Sequence, residues 1–193
     1  VKTGTEDTSF NAARQKLAAG NYTETSEFSV EYSGQVIPLT SVVTNHTAAD
    51  AKVVISEADN DGSMKEYSSG LFAIANGVWS EIAEIGEKGY SLVCDRDVSI
   101  PDYSISSLLF TKSGSTYTLG GSNGVLVDPV EYSIGASFDG ISSVMTVSDL
   151  VVTISDDTIT FETIGTATLN STKYDATYTT TFTAIGTTAS ALS

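Results

Sequence analysis

The chain has 193 residues and a formal net charge of −15, from 24 acidic against 9 basic side chains. Apolar residues make up 40%, enough for one domain over residues 1–193 to bury a core, with 1–7 and 187–193 expected as loose tails. No apolar run is as long as a membrane-crossing helix, the few scattered bases exclude a phosphate-tracking surface, and a single Cys and a single His exclude a disulfide framework, a Cys-rich zinc site and a His-pair metal site.

The first element is a helix. Asp7 and Glu6 sit at its positive end, and Thr8-Ser9 offers an N-cap. Phe10, Ala13 and Leu17 fall on one face, and Gly20 is a natural stop, so the helix is expected over Ser9–Ala19. After it the pattern changes to period two. Phe28, Val30 and Tyr32 alternate with polar residues, Ser33-Gly34 turns the chain, and Val36 to Val43 return. Pro38 within that return predicts an edge or a bulge. Val53 and Ile55 lead to the Asp59-Asn60-Asp61-Gly62 turn, Met64–Ala75 resumes, and Asn76-Gly77 turns into Val78–Ile82.

The middle is less regular. Tyr90, Leu92 and Cys94 alternate, and Ser113-Gly114 joins Ile105–Lys112 to Ser115–Leu119. Gly120–Gly124 is a link and not a phosphate loop, since no Lys follows it. Asp128-Pro129 opens a short helix to about Ala136. The end is a meander of Val144–Ile154, Thr158–Leu169 and Lys173–Ile185, with Tyr174, Ala176, Tyr178, Thr180 and Phe182 on one face of the last strand. The expected fold class is mainly β: one antiparallel sheet of about nine to eleven strands, with the N-terminal helix covering it. A sheet that wide is expected to curl or to split.

The helix ending near Gly20, the stretch from Tyr67 through Leu71–Trp79, and the tail Tyr178–Thr188 resemble envelope lipoprotein carriers of the LppX-like and Lol-type superfamily. The resemblance covers well under a quarter of the chain. It implies a curled half-barrel, a cavity for an acyl chain or another lipid-like ligand, and a lipid anchor or leader preceding Val1. The chain departs from the family in having less helix between its strands.

Several clusters suggest chemistry. Asp59–Gly62 has the residue types of a calcium loop, but the twelfth position is Ser68, where a bidentate Glu is needed, so a hairpin turn is expected. Arg96 between Asp95 and Asp97, with Asp102 nearby, would lower the carboxyl pKa values and so works against an acid–base pair. His46 is expected in a solvated loop, without a Gly-x-Ser-x-Gly elbow to serve. Cys94 is expected as a buried structural thiol. The remaining candidates are the inward aromatic faces, Phe28, Tyr32, Phe72, Trp79, Phe110, Tyr174, Tyr178 and Phe182, which either fill a core or line a ligand cavity. The combined expectation is a non-enzymatic, secreted or envelope-anchored bacterial lipoprotein, without cofactor or metal, holding an apolar ligand in a half-barrel. The alternative is an adhesion or carbohydrate-binding β-sandwich, or a structural module with no small ligand.

Overall fold

The computed structural model describes residues 4–76, 78–86, 107–119 and 145–192. Cys94, Asp95–Asp97, Asp102, the Gly120–Gly124 link and the short helix expected from Pro129 lie outside the described residues.

Helix α1 spans Thr8–Ala18. Its N-cap is Asp7, one residue ahead of the expected Thr8-Ser9, because the Asp7 carboxylate accepts the Phe10 N–H at 3.0 Å. Gly20 ends the helix in the left-handed region at φ +73°. Ten strands follow among the described residues: β1 Tyr22–Tyr32, β2 Gln35–His46, β3 Asp50–Ala58, β4 Met64–Ala75, β5 Val78–Gly86, β6 Thr111–Ser113, β7 Thr116–Thr118, β8 Thr146–Ile154, β9 Ile159–Leu169 and β10 Thr172–Thr183. A single turn of 3₁₀ helix at Ser107–Leu109 takes the place of the strand expected from Ile105. All ladders are antiparallel, in the order β5-β4-β3-β2-β1-β10-β9-β8-β7-β6.

The sheet is open and is not curled into a half-barrel. Among the described residues β5 and β6 are its two edges, and they do not pair with each other. This corrects the expected fold class. Alternation along a strand assigns its two faces, whereas closure requires the outer strands to meet at a defined tilt and stagger. Ten strands can remain one open sheet when one face is buried.

Pro38 lies at the expected irregularity. Phe28 pairs with Thr40 and Ser29 with Pro38, so Leu39 is the extra residue of a bulge. The β2–β3 ladder begins only at Thr40, leaving the Pro38 nitrogen outside it.

The apolar residues share one face. Tyr22, Phe28 and Val30 lie on it in β1, Phe182, Tyr178 and Ala176 in β10, and Ile159, Phe161 and Ala167 in β9. They form two clusters. The first gathers Phe10, Ala13 and Leu17 of α1 against Tyr117, Leu150, Val152, Ile159 and Phe182. The second is built on Phe28, Val42, Val53, Phe72 and Tyr178. Helix α1 covers the first, as apolar spacing along a helix requires.

The C-terminal segment is bound to the sheet. The Asp50 carboxylate accepts Ser190 Oγ at 2.9 Å and the Ala191 and Leu192 N–H groups at 2.6 and 3.0 Å. The Asn21 side chain exchanges two hydrogen bonds with the Thr188 backbone.

Candidate functional site

The eight aromatic residues singled out from the sequence are divided between two apolar clusters and the tip of the β1–β2 hairpin. Phe110 and Phe182 belong to the first apolar cluster. Phe28, Phe72 and Tyr178 are buried in the second, with Trp79 and Tyr174 packed at its margin. Tyr32 is 59% exposed at the tip of the β1–β2 hairpin, with its ring 6.4 Å from that of Tyr174. Its parity matches Phe28, but the strand has run past the covered part of the sheet. Val78 is exposed on strand β5.

His46 is not a loop residue. It ends β2, is buried, stacks on Tyr22 at 5.0 Å and donates from Nδ1 to the Gly20 carbonyl at 2.7 Å. Gly20 is where α1 ends, so the imidazole joins that turn to the sheet.

A concave surface with convergent polar groups lies beside α1. Ser9, Ala12, Ala13 and Lys16 recur at helical spacing and give one wall. Lys112, Gly114, Ser115 and Tyr117 of the β6–β7 hairpin give the other. Ile154, Ile159 and Ile185 supply apolar surface, and Ser155 and Asp156 of the β8–β9 turn close one end. The groove encloses about 460 Å³, within the usual range for a small-molecule site. A second depression of about 420 Å³ continues it past Lys16, Asp156 and Ile185 toward Thr187.

The hairpin wall is fixed by Asp7. Its carboxylate accepts the Tyr117 hydroxyl at 2.7 Å and the Lys112 ammonium at 2.8 Å. The Lys112 hydrogen bond, followed by those from Tyr117 and Phe10, holds the Asp7 carboxyl far below the usual carboxylate range. Burial pushes the Tyr117 hydroxyl up, and its bond to Asp7 adds to this. Lys112 is raised by the same contact and lies 5.3 Å over the Tyr117 ring. Lys16, across the groove, donates a long bond of 3.4 Å to the Asp156 carbonyl.

This site was not visible in the sequence. Lys16 could be placed on the flank of α1, but its partners come from residues 112–117 and 154–159, which the antiparallel ladders bring near. The Asp59 turn is held locally, by the Lys65 ion pair and by the Ser63 bonds to Asp61.

No protein-family model matches the chain, and no curated protein matches it significantly. The carrier resemblance is thus unsupported in sequence, and the open sheet contradicts the half-barrel it implied. The lipid-binding and lipoprotein readings fall with it.

Proposed function

We propose that the protein is a non-enzymatic binding module whose groove beside α1 takes a small hydroxylated anion, of the hexuronate class. The observation that carries this reading is the convergence of Lys16 and Lys112 on one groove in a chain of net charge −15. Ser9, Ser115 and Ser155 add hydroxyls around an apolar floor, the combination that orients a sugar ring. Long-range repulsion disfavours an extended polyanion, whereas a small ligand meets Lys16 directly and Lys112 in its ion pair with Asp7, beside Asp156.

Two observations favour binding over catalysis. The groove's serines have no imidazole beside them, since His46, the chain's one His, is bound to Gly20 and stacked on Tyr22. Asp7, which fixes the hairpin wall, is engaged with Tyr117 and Lys112, which favours its ionised form over a general acid. The Thr/Ser-rich, acidic composition supports a location outside the cytoplasm, and no helix among the described residues is long and apolar enough to cross a membrane.

Titration of the isotope-labelled protein with D-glucuronate, followed by two-dimensional amide NMR, tests the proposal. Saturable shifts should centre on Ser9, Lys16, Ser115, Tyr117 and Ser155, and D-glucose should produce weaker ones. Shifts confined to other parts of the sheet, or none, would overturn it.

A further inference from the structure

The two apolar clusters share a sheet face, but polar side chains lie between them. Glu24 of β1 is 5% exposed. Directly opposite it in β2 stands Thr44, 1% exposed. Two residues on, Ser26 pairs with Thr180 of β10, and both are buried. Partners directly opposite in an antiparallel ladder project to the same side with Cβ atoms about 5 Å apart. Thr44, Glu24, Ser26 and Thr180 therefore form one buried oxygen-rich band across three adjacent strands.

The band is only partly hydrogen-bonded. Ser26 Oγ donates to Glu24 Oε1 at 3.1 Å and lies 3.2 Å from Thr180 Oγ1. The Thr44 hydroxyl has no hydrogen-bond partner among the described residues. Glu24 makes no ion pair among the described residues either. A buried carboxylate without a counter-charge costs several kcal/mol, and a buried hydroxyl without a partner adds to that cost. Both deficits are removed by one positive group accepting oxygen donors.

The donor set selects the ion. One carboxylate and three neutral hydroxyls are hard oxygen donors carrying a single negative charge. A divalent ion calls for more carboxylates, and no group of three His, Cys, Asp or Glu side chains that could hold a metal exists among the described residues. We propose that Glu24, Ser26, Thr44 and Thr180 hold one dehydrated alkali-metal cation, Na⁺ or K⁺, between the two apolar clusters. The ion would link β2, β1 and β10 at the centre of the sheet and stabilise the fold by binding the native state alone.

Thermal unfolding of the whole chain in NaCl or KCl, against choline chloride at equal ionic strength, tests this. The wild-type midpoint should rise saturably with Na⁺ or K⁺ beyond its value in choline. Glu24→Gln, which keeps the shape and removes the charge, should lose that difference. Thr44→Val, which keeps the volume and removes the hydroxyl, is the second variant, should the first fail to fold. It should raise the half-saturating salt concentration at least about fivefold, the equivalent of one lost hydrogen bond. Equal midpoints in the three salts for the wild type would overturn the proposal, as would an undiminished ion-specific rise in either variant.

Discussion

Asp7 and Tyr117 are 110 positions apart, yet the Tyr117 hydroxyl donates to Asp7 Oδ1 at 2.7 Å while the same carboxylate caps α1. One side chain thus starts the helix and attaches it to β7. The Phe10 ring lies edge-on to Tyr117 at 5.2 Å directly beneath, so the cap, the hydrogen bond and the apolar contact all set the helix at the same angle.

Asp7→Ala should destabilise the protein by about 1–2 kcal/mol through the lost cap alone, and by more because Tyr117 loses its acceptor. Tyr117→Phe keeps the ring contact and should cost about 1 kcal/mol. Urea denaturation midpoints of the two variants check the order, with Asp7→Ala the weaker protein.

Leu17 is 1% exposed in the cluster beneath α1. Leu17→Ala should therefore cost about 2–5 kcal/mol. Lys16→Gln, one position earlier and on the groove, should stay within about 0.5 kcal/mol of wild type, as surface substitutions do. Equal effects on denaturation would mean that the helix face is wrongly assigned.

Acid should loosen the fold through Asp50 as well as Asp7. Burial acts to raise the Asp50 carboxyl, but bonds from Thr47, Ser190, Ala191 and Leu192 outweigh it and hold the group below its ordinary value. A carboxyl depressed in the folded state stabilises in its ionised form. The contribution is complete above the unfolded Asp value of about 4 and is lost as pH falls from there toward the folded value. Asp50→Asn should lower stability near neutrality and flatten the loss on acidification, read from unfolding midpoints at a series of pH values.

Val78 and Ile82 are exposed on the edge strand β5. Val78→Lys should leave the melting temperature nearly unchanged, because no core contact is lost and a charge on an edge discourages pairing between molecules. A large drop in Tm would place Val78 in the core.

Much of the strand order is legible in the sequence, because Ser33-Gly34, Asp59–Gly62, Asn76-Gly77 and Asn170-Ser171 are turns with a chemical reason, and hairpins join neighbours. Met64–Ala75 matches β4 at both ends. The last strand alternates as expected but stops at Thr183, since Ala184 takes a positive φ of 48°. Curvature was not legible, because alternation is identical in a flat, a curled and a closed sheet. Nor was the burial of His46: its neighbours Asn45 and Thr47 suggest a loop, while its environment comes from Tyr22 and Gly20, more than twenty positions earlier. Glu24 shows the same limit. A Glu between Thr23 and Thr25 gives no sign of facing inward until the strand's phase is fixed by Tyr22 and Phe28.

Binding of a small hydroxylated anion by the ammonium groups of the α1 groove is measured by calorimetric titration of D-glucuronate into four proteins: wild type, Lys16→Gln, Lys112→Gln and Lys173→Gln. Lys173 lies on β10 and lines neither depression. Wild type and Lys173→Gln should bind saturably with the same affinity, and each groove variant should lose about tenfold, the equivalent of one charge-assisted hydrogen bond. No saturable binding to wild type, or equal affinity in all four proteins, would contradict it.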